Sequence, residues 1–170
     1  MPILPAQRDP RLITVRRGGT LTDEHHRLLA GWALGCAEHV LHLFDAAGTG
    51  DAGPREAIAI GHAWIRGEVP MRTAHQAAFT ANAAGRGLPD PARFAALAAG
   101  QAVAVAHVAA HDLGAAAYAI RAVQAAAGGD PAARLAERDR QRVLLPLAVR
   151  DLVLEDQAAR SAICWHAFDD

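Results

Sequence analysis

Apolar residues recur at three- and four-residue intervals along most of the chain, the spacing that lines one face of an α-helix. Thr22 is an N-cap residue followed by Asp23 and Glu24, where the helix dipole favours acids. From there Leu28, Leu29, Trp32, Cys36, Val40 and Leu43 mark a helix to about residue 45. The stretch "AAGTGDAGP" reads as a loop, and Pro54 opens a second helix that ends near 66–67. Pro70 starts a third, ending around 85–87, and Asp90 with Pro91 opens a long alanine-rich helix expected to run through residue 110. The pattern breaks over 111–114, where Asp112 can bond locally and Gly114 can take positive φ. The next helix reaches residue 127 and stops at Gly128 and Gly129. Asp130 and Pro131 open a charged helix with Arg134–Glu137, Glu137–Arg140 and Asp139–Arg142 at pairing distance. Pro146 interrupts it, and a last helix is expected over about 147–168 with a break near Glu155. No stretch alternates as a strand does. The pattern predicts an all-α, single-domain bundle of six to eight helices over 21–170. Residues 1–20, punctuated by Pro2, Pro5, Pro10, Gly18 and Gly19, read as a flexible arm with a short extended piece at 11–16.

Composition agrees with this picture. The chain has 170 residues, 52% of them apolar but only 5% aromatic. Alanine fills the gap at about a quarter of the chain, and alanine is the best helix former. All 17 basic residues are arginine, a bias typical of GC-rich bacterial genomes. The net charge is −1, and neither sign is gathered into a block, which argues against nucleic acid or an anionic membrane as partner. The longest apolar run, 94–110, is broken by Gly100, Gln101 and His107 and is too weakly hydrophobic to span a bilayer. Two cysteines, Cys36 and Cys164, do not imply a disulfide framework, and a cytoplasmic location is the expectation. No motif asks for a cofactor: Gly48, Gly50 and Gly53 lack the lysine and preceding strand of a phosphate loop.

Three segments carry a resemblance. "LTDEHHRLLAGWALGCAEHVLHLFD", "GPREAIAIGHAWIRGEVPMRTAHQAAFTANAAGR" and "GQAVAVAHVAAHDLGAAAYAIRAV", in that order, resemble the bacterial immunity-protein family with an Imm-five-like domain, over about residues 21–145. The resemblance implies neutralisation of a protein toxin by direct binding, and it carries over no catalytic residue. The chain departs from the family in lacking a tryptophan near Arg140.

Candidate chemistry centres on the histidines. His107 and His111 stand four apart, one turn on a helix, with His107 expected to be buried and His111 expected at the rim of a pocket beside Asp112. The glutamate that a zincin helix needs after the first histidine is missing, and a metal site would want a further ligand such as Asp112. The alternatives are packed histidines tying helices together, an acid/base pocket, or a metal site. His39 falls in the apolar arc of the first helix, three residues from Cys36, a pair that reads first as a structural thiol beside a core histidine. An enzyme or small-molecule binder would set His39, His107, His111 and Tyr118 around a pocket lined by Trp32, Cys36 and Asp112. A binding protein would use Arg55, Trp64, Arg66 and the charged helix at Arg138, arginine and tryptophan being common at interface centres. A homo-oligomer is also open. His25 and His26 sit in a first helical turn, where a protonated imidazole opposes the dipole, and receive no role.

Overall fold

The computed structural model describes residues 3–170, and its architecture is all-α. Among the described residues seven α-helices follow one another: α1 (Asp23–Asp45), α2 (Gly53–Ile65), α3 (Met71–Ala84), α4 (Ala92–Ala104), α5 (Asp112–Ala126), α6 (Pro131–Val143) and α7 (Leu147–Arg160). Among the described residues there is no strand, only an isolated bridge between Thr14 and Leu21. No described helix is long and apolar enough to cross a membrane.

The start signals act as their chemistry requires. Thr22 Oγ1 accepts the His25 N–H at 3.2 Å, and Asp130 accepts the Ala132 N–H at 2.8 Å. Gly128 and Gly129, both at positive φ, turn the chain after α5. Helix α1 runs through the middle of the bundle, packed against α4, α5 and α2, while α3 packs on α2 and α4 and α6 on α5. Alanines at almost every contact of α4 and α5 let the backbones approach closely. At Gly100 the approach is close enough that a Cβ there would overlap Asn82 Oδ1 and lie 3.1 Å from the Ala78 carbonyl oxygen, both on α3.

Three boundaries differ from the sequence reading. The alanine-rich helix ends at Ala104 rather than 110, and a turn at 105–107 followed by a 3₁₀ turn, Ala109–His111, separates it from α5. Gly114 therefore lies inside α5, and it is glycine because of crowding: a Cβ would sit 2.5 Å from Gln101 Oε1 and 3.0 Å from an Ile3 methyl. The last helix is unbroken at Glu155 but ends at Arg160; a 3₁₀ turn, Ala162–Cys164, follows, and left-handed backbone at Trp165 and His166 turns the chain away.

Residues 10–21, expected as part of a loose arm, form two 3₁₀ turns, Pro10–Leu12 and Val15–Arg17, in place of an extended piece. They are closed by backbone bonds that include Val15 N–H to Leu21 O (3.1 Å), Leu21 N–H to Ile13 O (2.9 Å) and Thr20 N–H to Pro10 O (3.0 Å). Leu12 and Leu21 are buried beneath this loop.

Candidate functional site

The sequence-derived residues do not converge on one place. His39 is exposed on α1, with Nε2 3.3 Å from the buried Glu137 carboxylate of α6. Cys36 is fully buried, which pushes its thiol far above the ordinary value and removes it as a nucleophile at neutral pH. Tyr118 faces Phe94 and Trp165, part of an aromatic group in which the Arg121 guanidinium lies 4.1 Å from the Phe94 ring centre and 4.2 Å from that of Trp165. His107 lines a cavity that neither His39 nor Tyr118 borders.

His107 and His111 exchange the positions expected of them. His111 turns inward, with Nδ1 2.7 Å from Gln101 Oε1, and burial together with the positive charge of Arg160 and neighbouring histidines lowers its pKa to about 4. His107 instead forms part of a cavity wall, its ring stacked on His75 at 4.4 Å. The inversion arises because the helix is interrupted at 105–108, so the two residues do not share a helix. No group of three or more described His, Cys, Asp or Glu residues is arranged to hold a metal ion.

Asp112 lies below this pair, fully buried. Its Oδ1 accepts the Leu113 N–H at 2.7 Å and lies 3.4 Å from Arg160, while Oδ2 has no partner. Arg160 is engaged chiefly by Asp156 and also donates to the Ala110 carbonyl at 2.9 Å. Burial raises the Asp112 pKa to about 7, against the pull of Arg160. One guanidinium serves two carboxylates here, and the arrangement ties α7 to the α4–α5 junction.

The proposed interface residues also separate. Arg55 pairs with Asp45 and Arg66 with Glu68 at the two ends of α2, eleven residues and roughly 16 Å apart by helical rise. Trp64 is half-buried and turned edge-on to His26, with ring centres 5.0 Å apart. Arg138 is only 7% exposed and is consumed within the chain by Asp139 and Asp170. The charged face of α6 thus points at the C-terminal tail, where Arg134 also holds the carbonyls of His166, Ala167 and Asp169.

Two concavities border sequence-named pocket residues. The first, about 490 Å³, is an apolar groove between α1, the end of α2 and the α6–α7 link, lined by Leu28, Gly31, Trp32, Ile65, Leu144 and Pro146. Trp32 is fixed in its wall by an Nε1–H bond to the Gln141 carbonyl at 2.9 Å. Beside the groove, Val143, Leu144 and Leu147 are 76%, 57% and 88% exposed, a run of large apolar side chains left to water. The second, about 470 Å³, lies under the 14–17 loop and is lined by Arg16, Arg17, His26, Trp64 and His107. Of the sequence-named pocket residues, Trp32 and Cys36 border the first and His107 the second, while Asp112 borders neither.

Residues 19–148 match the family model described as "Imm-5 like putative immunity protein". The chain belongs to this Imm-5 like family. No curated protein and no solved structure matches it. The matched span of this immunity-family chain contains α1 to α6 and both concavities, apart from the loop residues 14–17. Sequence reasoning missed His26, Arg16, Arg17 and His75. His26 could have been found, because it continues the stripe of Ala30, Ala33, Ala37 and Val40 back to the first turn of α1.

Proposed function

We propose that this protein acts in the cytoplasm as an immunity protein that neutralises a protein toxin by binding it directly, and that the apolar groove receives the toxin. The observation carrying this reading is the groove itself. Its walls are apolar, its floor is kept open by Gly31 and Gly35 on α1, and its rim carries three large side chains that the fold does not cover. Apolar surface of this kind favours association, each buried leucine contributing about 2 kcal/mol. Membership of an immunity family supports a protein rather than a lipid or nucleic acid as occupant.

The test is the double variant Leu144→Asp with Leu147→Asp, co-expressed with toxins encoded in the same genome. Both positions are exposed, so the variant should melt with the parent. The expected result is loss of protection, with affinity for the cognate toxin reduced roughly a thousandfold in a calorimetric titration. Full protection by the double variant would overturn the assignment of the groove.

A further inference from the structure

The second cavity is chemically unlike the first. Its roof is the Val15–Arg17 turn, pinned by the Arg17 N–H to Thr14 O bond (2.8 Å) and the Gly19 N–H to Thr14 O bond (3.1 Å), with Gly18 in the left-handed region at φ 86°. Two consecutive guanidinium groups therefore leave from a fixed loop. Arg16 pairs with Asp23 at 2.6 Å, but Arg17 has no acidic partner among the described residues. In the wall, His26 directs Nε2 at the Val105 carbonyl, 2.6 Å away. A carbonyl only accepts, so Nε2 carries the hydrogen and Nδ1 is the free acceptor of a neutral ring. His107 has a buried Nδ1 with no partner at all.

The charges around these rings are predominantly positive. His26 faces Arg16 and Arg27, with Asp23 as the one opposing carboxylate, and that carboxylate is already paired to Arg16. His107 faces Arg17 and Arg8 and stacks on His75, while His111, lowered to about 4, is neutral. Burial first, and this positive field second, hold His107 below its ordinary pKa, while burial is the main cause for His26. A walled cavity with an unpaired guanidinium and two imidazoles that become donors on protonation suits an oxyanion.

We propose that this cavity binds the oxyanion group of a small ligand, phosphoryl or sulfuryl, with Arg17 as the principal cation and His26 and His107 taking up protons as the anion enters. A bound anion reverses the local field, so ligand binding and imidazole protonation are linked. Affinity then rises as the pH falls below neutrality, toward the lowered pKa of the free rings. The site is independent of the apolar groove, and either can fail without the other.

The probe is inorganic sulfate, whose own charge is constant from mildly acidic to mildly alkaline pH, titrated against chloride at matched ionic strength while the histidine rings are followed by NMR. Saturable shifts of His26 and His107, with binding weakening as pH rises, are expected. Arg17→Gln should weaken binding about tenfold, the weight of one charge-assisted bond, without changing the melting temperature of this exposed position. Arg86→Gln, at the far end of α3 from the cavity, should change nothing. Inorganic phosphate, titrated alongside at fixed pH, ranks the two groups, and saturable binding of either supports the site. Absence of any saturable shift with both anions, binding that ignores pH, or an equal loss in the Arg17 and Arg86 variants would overturn it.

Discussion

Asp112 shows what a single buried group does to the molecule. With its pKa raised from 3.8 to about 7, the folded state binds more protons than the unfolded chain throughout that interval, so this residue's contribution to stability falls as pH rises across it. His111, lowered from 6.5 to about 4, acts in the opposite direction, its contribution rising with pH between those values. The two oppose each other over most of their range. Asp112→Asn removes one side of that balance while leaving an oxygen for the Leu113 N–H. The stability advantage of the parent over the variant should therefore shrink steadily from pH 4 to 7, as read from urea denaturation at each pH; a constant difference would contradict the assignment. Very little of this was legible in the sequence. The His107 and His111 spacing was visible, but which one turns inward depends on Gln101, ten residues earlier on another helix, and on Gly114 giving that amide room. Asp112 was read as a turn residue, because the guanidinium that meets it stands 48 residues away.

Helix α6 makes the corresponding point for an element. Its arginines and acids fall at spacings that suggest a solvated face with intrahelical pairs, and of the three expected pairs only Glu137 with Arg140 forms. Glu137 is 3% exposed and also accepts from Gln141 at 2.9 Å and faces His39. Arg142 reaches Gln157 of α7 and the Phe168 carbonyl instead of Asp139. Periodicity located this helix to within a residue or two, yet it could not show that the charged side is a clasp on the tail, since most of the tail acceptors are backbone carbonyls. Glu137→Ala leaves Arg140 and the Gln141 amide without their shared acceptor in a buried place, and a loss of about 3 kcal/mol is expected in chemical denaturation. Glu137→Gln should lose less, because it keeps one acceptor oxygen. The remaining boundaries were legible where they rest on local chemistry, as at Thr22, Pro54 and Asp130. They were missed where long-range packing decides, as at Ala104 and Arg160.

For the whole molecule, the bundle and its family were readable, and the placement of the apolar groove and the basic cavity was not. Both concavities depend on segments distant in sequence: the groove on α1 with the α6–α7 link, the basic cavity on the 14–17 loop with α2 and the end of α4. The family match stops at residue 148, but Val149, Val153 and Arg160 of α7 are buried, and Arg160 compensates the Asp112 carboxylate. A chain shortened to 148 residues should therefore lose cooperative unfolding, seen as a broad calorimetric transition, because it exposes those apolar contacts and strands Asp112. The three tryptophans occupy three separate regions: Trp32 in the groove wall, Trp64 in the basic cavity and Trp165 against Arg121 beneath the tail. Indole emission responds to local polarity and to quenching by nearby cations and imidazoles. Replacing any two by phenylalanine leaves a chain with one optical reporter, so occupancy of either concavity and detachment of the tail could each be followed by fluorescence without an attached dye.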